Sequence, residues 1–309
     1  MKAGRKGWKG RRASRASPAS RRGWRSFLVV ALSLGASPQP GDRTIDLEAT
    51  IPMPGVLPAH RVVAFYGNPR SPRMGILGSL PTDSMLVRLR DQVSQYAAVD
   101  PGTPILPALH LVTVVAQREP GSSGLYRNRM PQALVDSVLS WADSDSLLLF
   151  LDIQPGRSPV LDEVRAYDRF LRRPNVHLAL DPEFVMEAGG VPGRHMGRLR
   201  AEEVNLVIAH LSSMVKEAGV PPKLLVIHRF TGPMLQNPER IEQDPRVQVV
   251  IDMDGFGTPG LKRHAYRSTV TGERGQFAGI KLFYRQDSPL MTPAEVLALR
   301  PTPHFVLYQ

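Results

Sequence analysis

The sequence of 309 residues contains no cysteine. This absence excludes disulfide bonds, thiolate metal sites and cysteine nucleophiles. The sequence also lacks the glycine-rich fingerprint that follows the first strand of a dinucleotide-binding domain. Neither His-x-His nor His-Glu-x-x-His occurs, so the usual local histidine spacings of zinc sites are missing.

Acidic residues are absent from residues 1–26, which contain ten of the 39 basic residues of the chain. The rest of the chain has 29 basic and 28 acidic residues and is therefore close to neutral. A nucleic-acid-binding protein needs clustered basic surface. The high pI of about 10.3 results from the basic residues of the leader. We therefore expect no nucleic-acid partner.

The apolar run at residues 27–36 is too short to cross a bilayer, since a membrane helix needs about 20 residues. A basic start followed by a short apolar core and small residues is typical of an export signal. Residues 20–24 form a partial twin-arginine signature, and residues 34–37 resemble a lipoprotein box with Ser37 in place of the lipidated cysteine. We expect a secreted or envelope-associated protein without a stable membrane anchor. An organelle transit peptide and an overextended start codon are the alternatives.

The rest of the chain divides into a tether and one domain. Five prolines in residues 37–59 predict an extended tether. Apolar stretches then predict strands near residues 61–66, 104–115, 147–153, 175–181, 223–228, 246–252, 278–284 and 304–308. Helix-like segments lie between most of them, the weakest at residues 229–245. This alternation predicts a single α/β domain of the (β/α)8 TIM-barrel class over residues 60–309.

Carboxylates stand at the ends of three predicted strands. Asp152, Asp181 and Asp252 lie at the ends of the third, fourth and sixth strands, and Gln154, Glu183 and Asp254 follow each of them by two residues. Acids at the carboxyl ends of barrel strands are typical of an active site. Glycoside hydrolysis needs one carboxylic acid and a second carboxylate. We therefore predict Glu183 as the acid and Asp181, Asp152 or Asp254 as its partner, with helix capping or turn formation as the alternative role.

Further residues at predicted strand ends suit substrate binding. They are Tyr66, Gln154, His228, Arg229, Phe256, Lys281 and Tyr284. His228 has the alternative role of a core histidine. Lys281 has the alternative role of an ion-pair partner for Asp254 or Asp252, because unpaired lysines are rarely buried.

Five motifs carry a resemblance to a known set of proteins: YGNP at 66–69, LDIQPG at 151–156, ALDPE at 179–183, DGFG at 254–257 and KLFY at 281–284. With them, the chain from about residue 60 onward resembles uncharacterised exported bacterial proteins, many of them lipoproteins. That resemblance implies a glycoside-hydrolase-like barrel and brings no known activity. Asp181 and Glu183 are also similar to the Asp-x-Glu that barrel-type muramidases place at a strand end.

Three functions remain open from the sequence. The first is an exported glycosidase acting on a glycan or on cell-wall material, with a carbohydrate as its ligand and no obligatory cofactor. The second is a metal-dependent hydrolase or phosphodiesterase, because the acids and His228 suit divalent cations. The third is a barrel that binds glycan without catalysis. The sequence does not determine the oligomeric state.

Overall fold

Eight parallel strands form a closed barrel in the computed structural model, which describes residues 53–270 and 275–309. The strands are β1 Arg61–Gly67, β2 Ile105–Ala116, β3 Leu148–Ile153, β4 Val176–Leu180, β5 Lys223–Arg229, β6 Val247–Met253, β7 Gln276–Leu282 and β8 Phe305–Tyr308. Each strand pairs in parallel with the next, and β8 pairs with β1. The predicted (β/α)8 class is confirmed, and every strand lies within two residues of its predicted position.

Helices form most of the connections between the strands. They are α1 Ile76–Ser79, α2 Thr82–Val99, α3 Gln132–Ser144, α4 Val160–Arg165, α5 Asp168–Leu171, α6 Ala201–Ala218, α7 Pro259–Thr269 and α8 Pro293–Leu297. Residues 229–245 are described throughout and contain no α-helix; they contain the 3-10 turns Gly232–Met234 and Pro238–Arg240 and the two-residue strand Leu235–Gln236, which pairs with Leu199–Arg200. Prolines at 233, 238 and 245 explain this, because proline removes a helical hydrogen bond. No helix in the described ranges is long and apolar enough to cross a membrane.

The interior of the barrel changes from apolar to polar along its axis. Val62, Leu224 and Phe305 belong to an apolar cluster inside the barrel near the amino ends of the strands. Toward the carboxyl ends, alternate residues of β2, β3, β5 and β6 place His110, Asp152, His228 and Asp252 in the interior with no exposed surface. Every second side chain of a strand points into the barrel, so the same strands contribute both the apolar residues and this polar layer to the interior.

The amino end of the barrel is covered by residues that the sequence assigns to the tether. Leu57 is buried in the apolar cluster of the barrel interior, and its backbone N–H donates to Gln248 Oε1 at 3.0 Å. The packed body therefore begins before residue 60. The predicted leader, residues 1–36, and residues 37–52 of the predicted tether lie outside the described residues.

Candidate active site

A cavity of about 650 Å³ opens at the carboxyl ends of the barrel strands. Such a volume is ordinary for a small-molecule site, and this end of the barrel carries the active site in barrel enzymes. The cavity is lined by seven residues of the predicted set, Tyr66, Gln154, Asp181, Glu183, Asp254, Phe256 and Lys281, and by the aromatic rings of Phe184, Phe230 and Phe283.

The polar pairs at the carboxyl ends of β3 and β6, Asp152 with Gln154 and Asp252 with Asp254, are stacked along the barrel axis. Asp152 and Asp252 are fully buried within their strands, whereas Gln154 and Asp254 line the cavity above them. Side chains two residues apart in a strand point to the same face and are separated by about 6–7 Å along the strand. The predicted catalytic residue Asp152 therefore lies one layer beneath the cavity.

Asp181 and Glu183 both line the cavity, but they are not two residues of one strand. β4 ends at Leu180, and Glu183 lies in the 3-10 turn Pro182–Phe184. Pro182 favours this turn because it has a fixed φ and no N–H to donate to a neighbouring strand. The turn leaves Glu183 half-buried at the wall of the cavity, above the buried Asp181.

Gln154 links three parts of the cavity floor. Its Oε1 accepts a hydrogen bond from the backbone N–H of Ala116 at 3.1 Å, which orients the amide. Its Nε2 then donates to Asp181 Oδ2 at 3.3 Å and lies 3.4 Å from the hydroxyl of Tyr66. Asp181 Oδ1 is buried and has no hydrogen-bond partner among the described residues.

The carboxyl groups of the cavity share a raised pKa. Burial raises the pKa of Asp181 well above its ordinary value, against the opposing charge of His228. Burial, followed by the charge of Asp254, also raises the pKa of Glu183. For Asp254 itself, burial raises the pKa although Lys281 and His228 oppose it. Close, buried carboxylates cannot all ionise freely. At least one carboxyl group of the cavity therefore stays protonated at a pH above the ordinary pKa of aspartate or glutamate.

A layer of histidine and aspartate lies directly under the cavity. His228 Nδ1 is 3.0 Å from Asp252 Oδ2, and His228 Nε2 is 3.4 Å from His110 Nε2. Asp152 Oδ2 lies 3.5 Å from His110 Nε2 and 3.7 Å from His228 Nε2. Only these three residues, within the described ranges, form a group with ligand-type atoms close enough to share a metal ion.

The two histidines of this layer differ in charge. Burial opposes the charge of His228, but the attraction of Asp152 and the hydrogen bond to Asp252 outweigh it and raise the pKa to about 9. Burial lowers the pKa of His110 to about 4. In the absence of a metal ion, His228 is thus the cationic member at neutral pH and His110 is neutral.

Lys281 points toward the aromatic floor rather than into an ion pair. Its amino group lies 3.6 Å from the ring centroid of Tyr66 and 5.3 Å from that of Phe283. A cation over an aromatic face is attracted by the ring quadrupole. Because Lys281 also lines the cavity, its charge is placed to act on an anionic or hydroxyl-rich ligand.

Arg229 and Tyr284, two of the predicted binding residues, do not line this cavity. The guanidinium of Arg229 donates to the carbonyls of Thr231, Gly232 and Thr269. Tyr284 stacks on Tyr308 and lines a separate cleft of about 200 Å³. His228 was also predicted to bind substrate, but it lies in the buried layer beneath the cavity.

Sequence reasoning missed His110 and Phe283. His110 is a histidine in the middle of the mainly apolar strand β2, and the parallel pairing places it beside Tyr66 of β1. Phe283 follows Lys281 by two residues and therefore reaches the same side of the barrel, where it lines the cavity. The alternation of side chains along the strand was the signal that pointed to Phe283 rather than to Tyr284.

Comparisons with known proteins give only distant structural similarity. No protein-family model and no curated protein matches the sequence. The structure is similar to a mutant form of Thermotoga maritima Cel5A in complex with cellobiose, at 10% identity and a TM-score of 0.41, over 81% of this chain and 88% of that one. It is also similar to a trimodular GH5_4 subfamily endoglucanase, at 12% identity and a TM-score of 0.35, over 62% of this chain and 43% of that one. For Plasmodium falciparum HPPK-DHPS with pteroate the identity is 8% and the TM-score 0.28, over 72% of this chain and 44% of that one.

The chain thus covers less than half the length of the trimodular endoglucanase. At such identities and at TM-scores below 0.5, these similarities carry no information on what this chain binds or converts. The class of the protein, a (β/α)8 barrel with an acidic cavity at the carboxyl ends of its strands, follows from its own structure.

Proposed function

We propose that this chain is a glycoside hydrolase that acts on a glycan or on cell-wall material. The observation that carries the proposal is the combination of three carboxyl groups of raised pKa with several aromatic rings in one cavity. Glycosidases need a neutral carboxylic acid beside a second carboxylate. Aromatic rings bury the apolar faces of sugars while the polar groups bind the hydroxyls.

Glu183 is the best candidate for the general acid. It is half-buried in the wall of the cavity, so a substrate oxygen can approach it, and its pKa is raised. Asp254 is the carboxylate whose charge acts most strongly on Glu183, which makes it the preferred second group. Asp181 lies deeper and is hydrogen-bonded by Gln154, so we assign it to the orientation of a substrate hydroxyl or of water.

The experiment that tests this function measures the release of reducing ends from peptidoglycan and from a panel of polysaccharides. We expect release by the wild-type chain and its loss in Glu183→Gln, with the fold intact by circular dichroism. If neither protein releases reducing ends at any pH or with any added divalent metal, the glycosidase assignment is wrong. Retained glycan binding in that case would favour a non-catalytic binding barrel.

Phe256 is expected to contribute to glycan binding rather than to the chemical step. Its ring lines the cavity and is 67% exposed, so it is free to stack on a sugar. Loss of such a stacking partner costs about 1 kcal/mol, which is roughly fivefold in an equilibrium constant. We expect Phe256→Ala to raise KM about fivefold at an unchanged kcat.

The control for Phe256 is Leu206→Ala. Leu206 is 58% exposed on α6 and does not line the cavity. Its substitution should leave both KM and kcat unchanged. An equal effect of the two substitutions, or an unchanged KM in Phe256→Ala, would contradict the stacking role.

We also propose that residues 1–36 direct export from a bacterial cell. A charge inside the apolar core disables such a signal, so Val30→Asp should retain the full-length chain in the cytoplasm. The wild type should reach the envelope or the medium with a mass lower by the leader. Ser17→Asp, outside the apolar core, is the control, and paired Arg21→Lys and Arg22→Lys substitutions report on the twin-arginine route. Export of Val30→Asp at the wild-type level would contradict the proposal.

A further inference from the structure

Three potential ligand atoms meet inside the barrel, below the cavity and outside the proposed catalytic set. They are Nε2 of His110, Nε2 of His228 and Oδ2 of Asp152, and all three side chains are completely buried. Their mutual separations are 3.4, 3.5 and 3.7 Å. The atoms come from β2, β3 and β5, so the pairing of the barrel strands brings them together.

These separations suit a metal ion better than hydrogen bonds. Ligand atoms around a tetrahedral zinc ion stand roughly 3.3–3.4 Å apart, since each lies about 2.0–2.1 Å from the ion. By contrast, separations of 3.5 and 3.7 Å are long for a hydrogen bond between an imidazole and a carboxylate. The triangle of ligand atoms therefore has the size of one face of a zinc coordination sphere.

Asp152 is incompletely satisfied without a ligand. Both of its carboxylate oxygens are buried and make no hydrogen bond in the described part of the chain, and the nearest imidazole nitrogens, of His110 and His228, lie 3.5 and 3.7 Å from Oδ2. A buried carboxylate normally has several donors, because burial without them is costly. A cation at the centre of the triangle would meet this need.

Asp252 has the role of an orienting partner for His228. Its Oδ2 lies 3.0 Å from Nδ1 of His228, which places the N–H on Nδ1 and leaves Nε2 to face the triangle. Ligating histidines usually donate their second ring nitrogen to a carboxylate in this way. The arrangement thus contains an outer partner as well as three inner ligands.

Tyr66 separates the three ligands from the cavity. Its ring centroid lies 5.3 Å from that of His110 and 6.3 Å from that of His228, while Tyr66 itself lines the cavity. An ion in the triangle would therefore lie behind the cavity floor rather than in contact with a glycan. Its effect would be to hold β2, β3 and β5 together under the catalytic carboxyl groups.

We propose that His110, Asp152 and His228 bind one divalent transition-metal ion of the zinc type as a structural centre of the barrel. Imidazole and carboxylate donors suit zinc. This site goes beyond the proposed glycosidase function and does not depend on it.

The test measures the metal content of the full chain, produced with added zinc, without a histidine tag and without chelators. We expect about one equivalent of zinc in the wild type and less than a tenth of an equivalent in His110→Gln and in Asp152→Asn. Asp252→Asn should retain the site but weaken its affinity by about 10–100-fold. His177→Gln is the control, since His177 is equally buried but accepts from the backbone of Leu224 instead.

Further measurements keep the test independent of folding and of activity. Removal of zinc from the wild type should lower Tm and re-addition should restore it, and cobalt in its place should give the visible bands of a tetrahedral centre. Glu183→Gln should keep the metal while it loses turnover, which separates this proposal from the glycosidase assignment. A wild type with less than a tenth of an equivalent, and with no shift of Tm on addition of zinc, overturns the site.

Discussion

Glycan turnover by Glu183→Gln is expected to fall by about 10²–10⁴-fold in kcat, the usual contribution of a general acid. Glutamine has nearly the same shape as glutamate but no proton to give to the leaving oxygen. Glu183 makes no side-chain ion pair with the residues that the structure describes and lies half-buried at the wall of the cavity, so the substitution should leave the fold and the binding of glycan intact. The loss should therefore appear in kcat at a nearly constant KM.

The pH dependence of kcat/KM tests whether Glu183 acts as the acid. A general acid must be protonated, so kcat/KM falls as the pH rises through its pKa. Burial and the charge of Asp254 raise the pKa of Glu183. The alkaline limb should therefore lie above the ordinary glutamate value of about 4.3, and the limb assigned to Glu183 should vanish in Glu183→Gln.

Two comparisons separate Glu183 from its neighbours. Glu187→Gln changes an exposed carboxylate four residues further on and outside the cavity, and it should keep full activity. Asp181→Asn should lower turnover but retain the alkaline limb, because the acid is still present. If instead the limb vanishes in Asp181→Asn and persists in Glu183→Gln, the acid is Asp181 and our assignment is wrong.

The fold could be predicted from the sequence because its signals are local. Each barrel strand is a short apolar run, and such runs survive small errors in their ends. The helix prediction was weakest where the local pattern was broken: residues 229–245 contain three prolines and form no α-helix. The start of α8 has a local signal of the same kind, since Thr292 precedes Pro293 and accepts a hydrogen bond from the backbone N–H of Glu295.

The site was harder to predict because it depends on strand register. Alternation along β3 predicts that Asp152 and Gln154 share a face, but it does not predict that Gln154 lines the cavity while Asp152 is buried beneath it. His110 was invisible as a site residue because its neighbours His228 and Asp152 lie on other strands. Arg229 is a different case: it follows the inward-facing His228 by one residue, so alternation alone predicts that it faces outward.

Removal of the carboxylate of Asp287 is expected to destabilise the barrel by about 3–5 kcal/mol, because it leaves a buried charge without its partner. The side chains of Asp287 and Lys262 are both fully buried, and Lys262 Nζ lies 3.0 Å from Asp287 Oδ2. The carboxylate also accepts from the backbone N–H groups of Gly257 and Phe283, at 2.8 and 2.9 Å. Lys262 in turn donates to the carbonyls of Gly255 and Lys281, both at 2.7 Å.

Urea unfolding of Asp287→Ala measures this loss, and two controls define its origin. Glu217→Ala breaks an ion pair of 3.0 Å with Arg172 whose side chains are both exposed, so it should cost less than about 1 kcal/mol. The double variant Lys262→Met with Asp287→Leu removes both charges and should recover part of the stability, since the unpaired buried charge is gone. If the double variant is no more stable than Asp287→Ala, the cost arises from the lost backbone hydrogen bonds instead.

The Lys262–Asp287 pair also supports one wall of the cavity. Gly255, Phe283 and Lys281 line the cavity, and the Lys262–Asp287 pair contacts the backbone of all three. At temperatures where Asp287→Ala is still folded, we expect a higher KM for glycan, because this wall of the cavity is less well held. An unchanged KM in the folded variant would show that the pair stabilises the barrel without positioning its site.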